Sequence, residues 1–263
     1  LVPLLWVIFS STKTSEGIFS SFGLWFDDKN VFWQNVQDTF AYQHGVYTRW
    51  LFNTIMYAVV AGVGATIIAT FAGYAIATMR FPGRNALLAV TLAFMSIPST
   101  VITVPLFLMY SKIGLVGTPW AVIVPQLATP FGLYLMIIYA QTSIPVSLIE
   151  AAKLDGASTW TIFWKVGFPL LSPGFVTVLL FTLVGVWNNY FLPLIMLTNT
   201  KDYPLTVGLN MWLKMGAYGT AGGQVPNNLI ITGSLIAVVP LIIAFMFLQK
   251  YWQSGLAAGS VKQ

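Results

Sequence analysis

Five long stretches of this chain carry no charge. Thirty uncharged residues lie between Arg49 and Arg80, 27 between Arg84 and Lys112, and 37 between Lys112 and Glu150. Two more runs of 35 lie between Lys165 and Lys201 and between Lys214 and Lys250. Each can hold the helix of about 20 residues that a hydrocarbon core about 30 Å thick requires. The pattern predicts spans near residues 51–79, 86–110, 119–141, 173–197 and 229–249. The opening LVPLLWVIFS is also apolar, but about ten residues are too few to cross. No small-residue cleavage site follows it, so it reads as the end of a first span near 1–11, truncated at its start, rather than a signal-peptide core. Strands of a membrane barrel would alternate polar and apolar over about ten residues, and these runs do not alternate. The expected fold class is an all-α membrane protein with six transmembrane helices, forming a single transmembrane domain over 1–263.

Inside the spans, small residues recur at four-residue spacing: Ala61, Ala65, Ala69, Gly73 and Ala77. That spacing puts them on one helix face, where a second helix can come close; plain helix packing is the default reading and a moving gate contact the alternative. Pro98 and Pro105 interrupt the third span, and Pro125 and Pro130 the fourth. Prolines there predict kinks and freed carbonyls, as suits a bundle around a cavity.

Composition agrees. Of 263 residues, 57% are hydrophobic and 7% charged, and the mean hydropathy is +0.79. Soluble domains carry about 25% charged residues. With no cysteine, disulfides, thiolate nucleophiles and Cys-based metal sites are excluded. The one histidine, His44, stands in a polar stretch and reads as solvated. The net charge of +5 shows no Lys/Arg cluster of the kind a nucleic acid needs, and fits topology and anionic lipid instead. Lys and Arg divide six to each side, which orients the chain weakly. The shorter connections carry Arg80, Arg84, Lys153 and Lys165, which favours the cytoplasm for that side.

One segment breaks the apolar pattern: EAAKLDGASTWTIFWKVGFPLL, Glu150 to Leu171. Pro145 suits the start of a helix, behind Ser143 or Ile144, and VSLIEAAKL supplies helix formers. Leu148, Ala151, Ala152 and Asp155 fall on one face. Gly156 fits a C-terminal stop, and Ser158 can cap a second short helix, TWTIFWKV, expected to end before Pro169. Such a helix–turn–helix at the membrane face is a knob that another protein can grip.

This segment resembles the EAA signature of permease subunits in binding-protein-dependent ABC importers: Glu-Ala-Ala, three residues, Gly, nine residues, then Ile-x-Leu-Pro. Here it reads Glu150-Ala151-Ala152, Lys153 to Asp155, Gly156, nine residues to Lys165, then Val166-Gly167-Phe168-Pro169, with Val and Phe as the apolar anchors. Asn53-Thr54, Ile97-Pro98, WNNYFLPL from Trp187 to Leu194 and the tail GLAAGSVKQ from Gly255 resemble the carbohydrate-uptake class, and most closely the second permease subunit of maltose-type and multiple-sugar importers. The resemblance implies a bacterial inner-membrane, multi-pass permease. Its segment 143–170 would hold a cytoplasmic coupling helix between spans four and five. Glu150, Ala151, Ala152, Asp155 and Gly156 would engage a cleft on an ATPase, and the C-terminal tail would lie near the ATPases. The implied partners are a second permease, two ATP-binding cassette ATPases and an external solute-binding protein.

No ionisable residue lies in the middle of any predicted span, which argues against proton or sodium coupling and suits an uncharged polar substrate. Sugars are held by aromatic faces and a few well-placed amides and hydroxyls. Candidates for a substrate pathway are Gln126, Trp187, Asn188, Asn189 and Tyr190; Asn210 and Trp212, in an external loop, are candidates to meet an incoming binding protein or substrate. Helix–helix hydrogen bonding or an interfacial aromatic belt is the simpler role for each. No Gly-Lys-Ser/Thr phosphate loop occurs, so the expectation is a transport subunit without catalytic residues, metal or cofactor of its own; ATP and Mg would be used by partner subunits. The rival readings are a glycerol-phosphate or glycerophosphodiester importer permease, a stand-alone secondary transporter or channel, and an intramembrane enzyme. The secondary transporter predicts buried charges or inverted repeats, and the enzyme needs chemistry that one loop histidine does not supply.

Overall fold

A computed structural model describes residues 2–218 and 225–260, with the side chains of 218 and 250–260 excepted. Among the described residues the chain is helical, without strands. Helix α1 is Val2–Ser11 and α2 is the single turn Gly17–Ser20. Helix α3, Phe32–Thr78, takes in the span predicted at 51–79 but begins far earlier. It is two helices joined by a kink, because Gln43, His44 and Gly45 lie in the left-handed region (φ 48°, 59° and 80°). His44 is exposed on that kink.

The span predicted at 86–110 is broken. Helix α4, Arg84–Met95, and α5, Ser99–Lys112, meet at 104°. Pro98 explains the break: it offers no N–H and pushes Ile97 out of helical geometry. The turn closes through shorter bonds, Ser96 N–H to Ala93 O and Ile97 N–H to Phe94 O. The next span is α6, Trp120–Gln126, and α7, Pro130–Ser143. Between them Thr129 caps α7, its hydroxyl accepting the Gly132 N–H at 3.2 Å, with Pro130 at the first helical position.

Helix α8 is Val146–Leu154 and α9 is Thr159–Ile162. The expectation that the aromatic helix stops before Pro169 is corrected. It passes through a π turn, Phe163–Gly167, into α10, Phe168–Trp187. A proline excludes an ordinary bond to the carbonyl four residues back. Here the ladder widens just ahead of it, with Phe168 N–H reaching Phe163 O, so the chain stays helical through Pro169.

The span predicted at 173–197 is also corrected. It breaks at 188–190 and resumes as α11, Phe191–Met196. Pro193 would collide with the Asn189 carbonyl in a continuous helix. That freed carbonyl accepts the Thr206 hydroxyl at 2.8 Å instead. Helix α12 is Leu205–Tyr218, and α13 is Asn227–Ser260, which runs past the predicted end at 249. The side chains from Gly255 to Ser260 and residues 261–263 lie outside the described residues, so the tail that resembled the family is not placed.

Among the described residues, four helical stretches are long and apolar enough to cross a membrane: Phe32–Thr78, Trp120–Ser143, Thr159–Trp187 and Asn227–Gln249. The bent pair α4–α5 makes five if it is one span, and α1 is a shorter apolar helix.

The chain divides into two compact units. One holds the chain up to Met56, Val116–Pro119 and Asn188–Ile243; the other holds Tyr57–Leu115, Trp120–Trp187 and the chain from Ala244. In the first, Tyr47, Trp50 and Trp212 are wholly buried, and the Trp212 ring lies 5.1 Å from Trp50 and 5.3 Å from Tyr42. Trp212 is therefore a core residue and not a contact for an incoming protein, as the loop reading had it. It lies on α12, whose Gly208 leaves the space that Trp50 fills.

In the second unit α7 packs on α4 and α10. The small-residue stripe of α3 is its contact face: Ala61, Ala65, Ala69 and Gly73 are buried. A Cβ on Gly73 would lie 2.6 Å from Met136 Cβ, so only glycine lets α3 and α7 approach this closely.

Candidate partner-docking segment and polar pocket

The Glu150 segment is built onto the core of the second unit. Ile149 on α8, and Ile162 and Phe163 beyond the turn, are buried in one cluster with Ala69, Tyr74 and Met136. Ala152 and Ala157 pack against the same cluster. Ile149 and Ala152 are three positions apart, so one face of α8 is fastened down. On the other, Leu148, Ala151 and Asp155 are exposed, and Glu150 is exposed beside them. Of the predicted face only Ala152 turns partly inward.

Pro145 stands one place before the first helical residue, with extended backbone (φ −63°, ψ 131°). The far end of α8 is a complete Schellman stop. Gly156 takes the left-handed conformation (φ 77°), its N–H bonds Lys153 O at 3.0 Å, and Ala157 N–H bonds Ala152 O at 3.0 Å. Ser158 then caps α9, its hydroxyl accepting the Thr161 N–H at 3.2 Å, in the role predicted for it. Trp160 stacks on Phe71 of α3, with ring centres 5.6 Å apart and planes at 7°, and Phe163 lies 4.8 Å from Phe71. Gly167 presses on Tyr74, where a Cβ would come within 2.8 Å of the ring. The result is an exposed helix packed through one face onto α3, α7 and α10.

The predicted pathway residues fall in both units: Gln126 and Trp187 in the second, Asn188, Asn189 and Tyr190 in the first. Gln126 is half-buried and its amide donates to Val122 O in its own helix at 2.9 Å. Trp187 is buried at the last position of α10. Asn188, Asn189 and Tyr190 form the break after it. Asn189 Oδ1 accepts the Leu192 N–H at 3.3 Å and so caps α11. Tyr190 is the one that meets a predicted partner, its hydroxyl donating to Asn210 Oδ1 at 2.9 Å. Those two line an open cavity of about 470 Å³ with Tyr203, Met211 and Lys214. Neither Tyr203 nor Lys214 was a candidate site residue in the sequence. The only local signal was their position in a polar connection between apolar runs.

The second unit thus joins apolar helices long enough to cross a membrane to one short helix with an exposed face. The comparisons make this specific. The family described as binding-protein-dependent transport system inner membrane component matches residues 65–257, and the chain belongs to that family. It is a multi-pass protein of the inner membrane. The arabinooligosaccharides transport system permease protein AraQ of Bacillus subtilis (strain 168) is 31% identical, over 100% of this chain and 90% of that protein. The melibiose/raffinose/stachyose import permease protein MelC of the same organism is 27% identical over 98% of this chain and 90% of its own length. A chain from the crystal structure of a bacterial ABC transporter that imports the acidic polysaccharide alginate has the same fold. Its TM-score is 0.81 at 23% identity, over 95% of this chain and 90% of that one.

Proposed function

We propose that this chain is the membrane-spanning permease subunit of an ATP-driven importer that moves a sugar or oligosaccharide across the bacterial inner membrane by alternating access. The observation that carries this reading is the Glu150 helix, exposed on one face and locked into the transmembrane core on the other. The oligosaccharides named for AraQ and MelC support the substrate class.

In this reading α1 belongs to a sixth span, and α8 is a coupling helix on the cytoplasmic side. Glu150, Ala151, Ala152, Asp155 and Gly156 dock in a cleft of one of two ATP-binding cassette subunits, which bind ATP and Mg. This chain carries no phosphate loop and is not itself an enzyme. A second permease completes the pathway, and an extracytoplasmic solute-binding protein delivers the sugar. ATP-driven closure pushes on α8, and the buried Ile149, Ile162 and Phe163 pass the movement to α3, α7 and α10 as a rigid-body gating step. Tyr190 and Asn210 present the aromatic face and amide that sugar recognition needs. Gln126, Trp187, Asn188 and Asn189 shape the pathway.

The test is substrate-stimulated ATP hydrolysis by the reconstituted complex, wild type against Glu150→Ala and Gly156→Val. Loss of stimulation in an assembled complex with competent ATPases is the expected result. Unchanged turnover in both variants reduces the segment to surface structure.

A further inference from the structure

The chain leaves α1 at Thr12 and returns to the same point at Val31, whose N–H donates to Thr12 O at 2.9 Å. Between these lies a ten-residue uncharged run, GIFSSFGLWF (17–26), with Glu16 before it and Asp27, Asp28 and Lys29 after it. Its aromatic rings face outward: Phe19 is 77% exposed, Phe22 73%, Trp25 64% and Phe26 47%. Water is a poor neighbour for so contiguous an apolar surface.

The loop does not project away from α1. It folds back along it. Phe26 packs edge-on against Phe9, with ring centres 4.8 Å apart, and Trp25 lies 5.8 Å from Phe9. Gly23 reaches further back, where a Cβ would stand 3.3 Å from the Trp6 indole nitrogen. Trp6 is five residues before the end of α1, which at about 1.5 Å per residue is roughly 7.5 Å down the helix. Lys13 holds this arrangement from inside. It is wholly buried, and its ammonium donates to Ser21 Oγ at 2.8 Å and Phe22 O at 2.7 Å. The loop's backbone is thereby tied inward and its rings are turned outward.

The exposed rings continue the exposed apolar face of α1, where Leu4, Leu5 and Ile8 lie. We propose that residues 17–26 form an aromatic anchor in the headgroup–acyl boundary of the outer leaflet, with phospholipid as its partner. The proposal rests on α1 being the end of a membrane span. Rings set about 5–10 Å into the boundary, with charges at both ends of the run, are the pattern of an interfacial segment. A segment that lies in the plane of the interface here holds the external end of the span at fixed depth.

The natural chain has no cysteine, so a spin label can be placed at a single site on it. The full importer, its other subunits stripped of reactive cysteines, is reconstituted in vesicles of phosphatidylethanolamine and phosphatidylglycerol. Labels at Phe22→Cys, Trp25→Cys, Ile8→Cys and Lys29→Cys are compared for relaxation by oxygen, which concentrates in lipid, and by a water-soluble nickel chelate. All four sites are exposed, and retained ATP hydrolysis confirms folding. The expected result is that labels at 8, 22 and 25 respond severalfold more to oxygen than the label at 29, and are unmoved by added solute-binding protein. A lipid-like response at 8 with a water-like response at 22 and 25 overturns the anchor and leaves the span intact. The same holds if 22 and 25 are shielded only when the binding protein is added, which makes the patch a protein dock. A water-like response at 8 removes the span and the anchor together.

Discussion

Ala157 N–H bonds the Ala152 carbonyl at 3.0 Å across the left-handed Gly156, and this contact ends the helix that displays Glu150. No side chain crowds Gly156: a Cβ there would meet nothing within 4 Å. Backbone conformation alone dictates the glycine.

Substitutions at 156 therefore rank by their tolerance of positive φ. Gly156→Asn keeps most of the substrate-stimulated ATP hydrolysis, since Asn visits this region readily, whereas Gly156→Ala costs about 1 kcal/mol and a β-branched Gly156→Val costs more. ATPase stimulation in vesicles should fall in the order Gly, Asn, Ala, Val. An order that follows side-chain volume instead would place a close neighbour at this site.

Leu148 and Ile149 are adjacent but face opposite ways, and their alanine variants should fail differently. Ile149→Ala removes buried volume from the core cluster and costs about 2–4 kcal/mol, seen as a lower unfolding temperature of the purified complex. Leu148→Ala changes stability by less than about 0.5 kcal/mol, as expected of an exposed site. It lowers ATPase stimulation instead. Equal loss of stability in both would mean that both faces of α8 are buried.

Gly73 and Gly185 both lie in helices, yet only the first is crowded. Gly73→Val must separate α3 from α7, because its Cβ would meet Met136 Cβ at 2.6 Å and the Met136 carbonyl carbon at 3.0 Å. Overpacking of this kind costs about 1–3 kcal/mol. At Gly185 the added methyl meets open space, so Gly185→Ala leaves thermal unfolding of the detergent-solubilised complex unchanged.

Asn53 holds the connection that precedes α12. Its buried amide donates to Lys201 O at 2.7 Å and Tyr203 O at 3.1 Å, while the neighbouring Thr54 hydroxyl accepts the Leu205 N–H at 2.7 Å. Asn53→Ala removes both bonds, leaving Lys201 O the longer one from Arg49 Nε at 3.4 Å, and costs about 1–3 kcal/mol. Limited proteolysis should then cut near 199–204, where the wild type resists.

Tyr190→Phe removes the hydrogen bond to Asn210 but keeps the ring. If the pocket they line carries sugar, the substrate concentration for half-maximal ATPase stimulation rises severalfold, and the basal rate is unchanged. No shift would remove this pocket from the pathway.

The runs without charge, the four-residue stripe of small side chains and the Glu150 motif depend on spacing along one strand of sequence. Hydrophobic length sets a membrane helix, and local backbone preference sets the caps at Gly156 and Ser158, so both are legible before any fold is known. Where helices break is a different matter. Pro98 ends α4, yet Pro169 is carried through a π turn and Pro193 breaks the chain four residues earlier, at Asn189. Each outcome depends on which distant group satisfies the freed carbonyl, as the Thr206 hydroxyl does for Asn189. Burial of single polar or amphipathic residues is likewise tertiary. Trp212 read as a residue of an external loop and Lys13 stands in a polar stretch, but both are buried because α12 packs on Trp50 and the aromatic loop closes over the lysine. The sequence by itself determined a helical membrane protein, since uncharged length and periodicity are local, and its Glu150 motif carried the resemblance to the permease family. Only the tertiary structure decided which face of α8 is free, where the helices break and which rings are exposed, because those depend on contacts between residues far apart in the chain.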